Sequence, residues 1–187
     1  LSLIVMGDRA HGVALAQAEL AEAHSMSAEI GALSALVQVE GPEREAALDA
    51  FHARHATEHL LIDKWLMLNA QCAGPGAAAR VERLTHHPDF RWTTPNKVYA
   101  LLSGFAGLNP AGFNAEDGSG YRVVADAIIR LDATNPQVAS RLATSFRSCK
   151  LLNSSRKTAA LAELERILAT PDLSANVYEI VSKTARG

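Results

Sequence analysis

A chain of 187 residues, 48% hydrophobic and 20% charged, holds enough apolar mass for one buried core. Its formal net charge of -2 makes no electrostatic case for nucleic acid or an anionic membrane, and no stretch is long and apolar enough to span a bilayer. Aromatic residues are only 5% while Ala and Leu are frequent, a balance that suits helices better than strands.

The chain opens Leu1-Ser2-Leu3-Ile4-Val5-Met6-Gly7-Asp8, without the basic-then-apolar pattern of a signal segment. An apolar run ended by Gly-Asp reads as the last turns of a helix that starts further upstream, so a piece of a longer protein is expected. From Arg9 to His24 the residues Val13, Ala16, Leu20 and Ala23 form a thin stripe at helical spacing. Ser27 is expected to cap the next helix, with Glu29 in its first turn, where a carboxylate suits the macrodipole. Gly41-Pro42-Glu43 stops that helix and opens another, with proline where a missing N–H costs nothing. Helical character then lasts to about Gln71, burying Leu48, Phe51, His55, Ile62, Trp65, Leu66 and Leu68. A break is expected near His55–Thr57, with Thr57 and Glu58 capping a new start. Gly74-Pro75-Gly76 is a firm break, Ala77 to Leu84 a short helix, and His86-His87-Pro88 its end.

Thr94-Pro95 pairs a cap with a first-turn proline and opens a helix carrying Val98, Leu101, Leu102 and Phe105. Asn109-Pro110 repeats the device for a turn through Phe113. Asp117-Gly118-Ser119-Gly120 is a tight turn ahead of Tyr121, Val124, Ala125, Ile128 and Leu131. Asn135-Pro136 starts a helix with Val138, Leu142, Phe146 and Cys149 inward. Arg156 to Ala169 follows, with Leu161, Leu164 and Leu168 inward, and Ser174 caps a last helix through Val177, Ile180, Val181 and Thr184. The sum is an all-α chain of about ten short helices. Such helices are marginal alone and must bury their stripes against neighbours. Short connections imply antiparallel pairs stacked into an irregular superhelical solenoid, as one helical domain over 1–187, although no fixed repeat period is present.

Several constellations invite a chemical reading. His55-Ala56-Thr57-Glu58-His59 fits H-x-x-E-H, the inverted zinc-peptidase pattern, with His52 a further turn back. Two imidazoles on one helical face and a glutamate to activate water would be the chemistry. The pattern is short, no downstream motif supplies a third ligand, and His55 lies on the apolar stripe, so a packed histidine is the preferred reading. Adjacent His86 and His87 would diverge by about 100° on a helix, and before Pro88 they read as solvated. Asp117-Gly118-Ser119-Gly120 lacks a P-loop lysine and reads as a turn. Cys72 and Cys149 read as reduced, buried thiols. Lys97 falls in a helix's first turn, where a cation opposes the macrodipole unless an anion or partner uses it. Arg141 sits at the edge of a buried stripe. Taken alone, each reads as a surface or snorkelling charge.

Longer segments carry a resemblance. Pro95-Asn96, Phe105-Ala106-Gly107, Asn109-Pro110, Phe113 and Glu116-Asp117-Gly118-Ser119-Gly120-Tyr121 resemble the carboxy-terminal domain of bacterial aminopeptidase N. Asn135-Pro136-Gln137-Val138-Ala139-Ser140-Arg141-Leu142, Asp63-Lys64-Trp65, the Met26-Ser27 helix start and the ending Leu173-Ser174 with Tyr178-Glu179-Ile180 resemble it too, in family order. The resemblance implies an armadillo-like domain of a zinc metalloaminopeptidase of the gluzincin family, a cytoplasmic hydrolase that removes amino-terminal residues from peptides. The family's catalytic H-E-x-x-H and G-x-M-E-N do not occur in this sequence. No catalytic or metal residue and no cofactor is therefore assigned to the segment, and the zinc is expected in a catalytic domain outside it. The implied partners are that catalytic domain and peptide substrates, with no nucleic acid or membrane. The implied role is to cap the catalytic domain, shape its cavity and control peptide access. Arg141 and Lys97 match basic positions of the family and become substrate-cavity candidates. Tyr99 and Asn114 join them as departures, standing where relatives often have arginine and histidine. The alternative reading is a free-standing helical-repeat interaction scaffold.

Overall fold

Short polar side chains ahead of apolar stripes set where the helices begin. The computed structural model describes Ile4 and residues 7–186; the helix end expected over 1–8 falls largely outside them. Asp8 accepts the His11 N–H at 3.1 Å and opens α1 (Arg9–Ala21). Ser25 accepts the Ala28 N–H at 3.2 Å and opens α2 (Met26–Leu36). Ser25, not Ser27, is the cap, because its extended backbone lets the hydroxyl face the first turn while Ser27 lies inside that turn. Pro42 starts α3 (Pro42–His55), and the expected break precedes α4 (His59–Ala70). There the extended cap residue is Glu58 rather than Thr57, with no side-chain cap bond.

After α5 (Ala77–Leu84), α6 runs as one rod from Pro95–Val98 through a π-helical turn, Tyr99–Ser103, to Gly104–Leu108. Asn109 caps the short α7 (Pro110–Phe113), and Gly118, at φ 71°, turns the chain into α8 (Ser119–Asp132). Asn135 caps α9 (Pro136–Ala143). The expected continuation through Cys149 tightens to a 3-10 segment, Thr144–Leu151. At three residues per turn, Phe146 and Cys149 share one side, and both stay buried. Asn153 caps α10 (Ser154–Leu168), which buries Ala160, Leu164 and Ile167 and leaves Leu161 and Leu168 half-buried. The last helix is α11 (Ala175–Arg186).

Among the described residues there is no strand. Each helix packs on near neighbours in sequence: α1 on α2, α2 on α3, α3 on α4, α4 on α6, α8 on α9 and α10, and α11 on α9 and α10. That pattern is the expected solenoid. One apolar core runs from Leu33 to Val181, and a small second cluster of Val13, Ala16, Ala35 and Leu36 seals the α1 end. Phe105, Phe113, Tyr121 and Phe146 nest at its centre, with Phe113 5.2 Å from Tyr121 and 5.5 Å from Phe146, both edge-to-face.

Polar ties lock the turns. Buried Asn109 donates to the carbonyls of Ala70 (3.1 Å) and Cys72 (2.9 Å) while its oxygen accepts the Gly112 N–H. Asp132 accepts the Ser174 N–H at 2.8 Å and the Ser174 hydroxyl, joining α8 to the start of α11. Glu45 lies between Arg44 and Arg80; burial works against its charge, but hydrogen bonds from Arg80 and Arg44 outweigh it and hold the pKa below the usual value.

Candidate functional site

The first turns of α6 stand between two hollows. Thr94 is extended and Pro95 occupies the first turn, so residues 95–99 emerge as a short stiff post. Pro95 and Tyr99 line one side of it; Thr94, Asn96 and Lys97 line the other.

The first hollow, about 470 Å3, is open and is completed by Asn135, Gln137, Val138, Ser140, Arg141, Thr144 and Ile180. Its cation is Arg141, exposed in the last turn of α9, where positive charge suits the helix end. The guanidinium lies over the Tyr99 ring, 4.6 Å from its centroid. A cation–π contact of this kind contributes about 0.5–1 kcal/mol at an exposed site and leaves the guanidinium's edge N–H groups free for an anion. Sequence spacing gave no sign of this pairing, because positions 99 and 141 meet only through the packing of the two helices.

The second hollow, about 360 Å3, is lined among others by His59, Leu60, Asp63, Asp89, Arg91 and Lys97. Lys97 is buried, and its ammonium reaches Asp63 Oδ1 at 3.4 Å. That partner answers the cost of a cation in a helix's first turn: the anion comes from the Asp63-Lys64-Trp65 segment of α4. Leu60 is 73% exposed at the rim.

Asn114 stands apart from both hollows. Its oxygen accepts the Tyr121 hydroxyl at 3.0 Å and its amide donates to Pro110 O at 2.8 Å, closing the turn between α7 and α8. Of the four candidates, the structure therefore brings Arg141 and Tyr99 together, sets Lys97 behind them, and holds Asn114 in a local turn.

The inverted zinc pattern is not assembled. A helix break separates His55 from His59; His55 Nδ1 is 3.4 Å from Glu58 Oε1, and its other nitrogen is 3.7 Å from Glu29 Oε2. The histidines that do converge are His52 and His87. His87, expected as solvated, is half-buried and lies beside Asp89 and Trp65. Burial, opposed by Asp89 and aided by His52, holds its pKa below the ordinary imidazole value. The thiols are buried and unpaired as expected, and burial pushes that of Cys72 up to about 11. Among the described residues no helix is long and apolar enough to cross a membrane.

These features define an all-helical, armadillo-type domain with a cation-bearing groove beside its central rod. Residues 1–186 match the family described as a domain of unknown function (DUF3458_C) with ARM repeats, and the chain belongs to that family, the helical carboxy-terminal domain of bacterial aminopeptidase N. It is 42% identical over 161 residues to aminopeptidase N of Caulobacter vibrioides, covering 86% of this chain and 19% of that protein. It is 33% identical over 183 residues to aminopeptidase N of Escherichia coli K12, covering 98% of this chain and 21% of that protein. The crystal structure of Legionella pneumophila aminopeptidase A in complex with aspartic acid superposes with a TM-score of 0.88 at 29% identity, over 97% of this chain and 21% of that one. The chain thus spans about a fifth of the length of these relatives.

Proposed function

We propose that this domain works as part of a zinc-dependent aminopeptidase, packed against the catalytic domain of the same polypeptide, and that it forms one wall of the cavity through which peptides reach the metal. The carrying observation is the match of nearly the whole chain to one fifth of enzymes named aminopeptidase N. No residue set here fits the catalytic zinc, since H-E-x-x-H does not occur and His55, Glu58 and His59 are split by a helix break. The domain's contribution is therefore to bind and admit. Arg141, held over Tyr99 in the open groove, would receive the carboxylate of a peptide's distal end and orient its amine toward the metal. Lys97, already paired with Asp63, would set the field of the neighbouring hollow and brace α4 against α6. The exposed side chain of Leu60 would be covered by the catalytic domain. A cytoplasmic setting suits two unpaired thiols.

The test is the reading frame upstream of Leu1 and the activity it confers. The frame is expected to encode H-E-x-x-H followed by a distant glutamate, and the joined polypeptide to hydrolyse aminoacyl anilides while the 187-residue chain alone does not. An initiator methionine directly before Leu1 would overturn the reading in favour of a free-standing scaffold.

A further inference from the structure

Three side chains meet at the edge of α3. His52, on α3, and His87 and Asp89, after α5, place one nitrogen or oxygen each within 4.8 Å of one another. His52 Nε2 is 2.6 Å from Asp89 Oδ2, and His87 Nδ1 is 3.6 Å from the same oxygen. The Trp65 ring supports both imidazoles, with centroids 4.4 Å from His52 and 5.0 Å from His87. The Asp89 N–H donates to His87 Nδ1 at 3.2 Å, a bond that a cation at that nitrogen would replace. Among the described residues, no lysine or arginine pairs with Asp89; its partners are the two imidazoles. The side chains are 25–34% exposed, so an ion can enter from solvent.

We propose that His52, His87 and Asp89 form a binding site for a zinc-class divalent cation, with water as the fourth ligand, separate from the catalytic metal of the proposed enzyme. Two imidazole nitrogens and one carboxylate oxygen are the donor set such ions take. Bonds of about 2.0–2.1 Å in a tetrahedron put ligand atoms about 3.3 Å apart. The His52–Asp89 pair needs to open by about 0.7 Å and the His87–Asp89 pair to close by about 0.3 Å, and the His52 and His87 nitrogens, within 4.8 Å of each other, must come to the same spacing by side-chain rotation. The ion takes the place of the hydrogen between His52 Nε2 and Asp89 Oδ2, and the neutral ring carries its proton on Nδ1 instead. Asp89 also lines the second hollow, with His59, Asp63, Arg91 and Lys97.

The experiment uses the 187-residue chain freed of metal by chelation, its fold checked by circular dichroism. Cobalt(II) is titrated and followed by visible absorption, zinc by competition, and copper(II) by quenching of tryptophan fluorescence, to which Trp65 and Trp92 both contribute. One equivalent is expected to bind, with the intense bands of a four-coordinate cobalt site. Affinity should fall at least tenfold in His87→Ala and Asp89→Asn, and hold in His86→Ala, His55→Ala and His59→Ala. Should His87→Ala fail to fold, Asp89→Asn decides, because the amide keeps the volume and hydrogen bonding but is a poor metal ligand. Absence of saturable binding to the folded chain overturns the proposal. So does full affinity in Asp89→Asn, or loss of binding in His59→Ala with none in Asp89→Asn.

Discussion

Replacing Gly120 with alanine is expected to destabilise this domain by about 2 kcal/mol or more. On propensity alone the change should help: alanine gains up to about 1 kcal/mol over glycine in a helix interior, less in a first turn such as this one. The structure reverses the sign. A Cβ at position 120 would stand 2.4 Å from the carbonyl oxygens of both Gly112 and Phe113 and 2.7 Å from Phe113 Cα. All three are backbone atoms, and α7 is pinned beneath them by the hydrogen bonds of Asn109. Relief requires α7 to move off α8, opening the edge-to-face packing of Phe113 against Tyr121 and Phe146. Overpacking of this kind costs about 1–3 kcal/mol where side chains can yield, and backbone yields less. Gly31→Ala is the matched control, since no atom lies within 4 Å of its added Cβ in the middle of α2. It should stabilise by about 0.5–1 kcal/mol. Urea denaturation followed by circular dichroism measures both. A Gly120→Ala chain as stable as the parent would refute the close approach of α7 and α8.

Asn109→Ala orphans two buried carbonyls and an N–H, and should cost about 3 kcal/mol in the same assay; a loss under about 1 kcal/mol would contradict the tie. Asp132→Ala removes both bonds to Ser174, and a loss of about 2 kcal/mol is expected, with amide exchange quickening first at the start of α11. The Cys72 thiol, with its pKa raised by burial from an ordinary 9.0 to about 11, should resist thiol reagents until the chain unfolds. Because the folded value is the higher one, the stability gained by keeping Cys72 neutral is whole below pH 9.0. It is lost as pH rises toward 11, which denaturation midpoints against a Cys72→Ala chain should show.

Much of the fold follows from punctuation that acts locally. Gly41-Pro42, Asn109-Pro110 and Asn135-Pro136 start helices where cap-and-proline chemistry places them, since each acts on N–H groups within one turn. What the pattern did not carry is contact between distant turns. Ser25 rather than Ser27 caps α2 because backbone conformation, not residue type, selected between two serines. The π-helical turn at Tyr99–Ser103 has no composition signal, yet it lies in the rod that carries Tyr99 beneath Arg141. Lys97 reads in sequence as a lone first-turn cation; its anion, Asp63, lies on another helix. His55-x-x-Glu58-His59 satisfies a helical pattern across a place where the helix stops. His52, His87 and Asp89 match no motif and converge only because the segment after α5 folds back over α3.

The claim that matters most is that the Arg141–Tyr99 groove faces the peptide. Arg141→Ala in the proposed full-length enzyme tests it through KM for a peptide of several residues beside KM for a single-residue anilide. An exposed charge pair contributes up to about 1 kcal/mol, or about fivefold in affinity. KM for the peptide is expected to rise by about that factor, with KM for the anilide and kcat for both unchanged. An unaltered KM for the peptide, or an equal rise for both substrates, would contradict it.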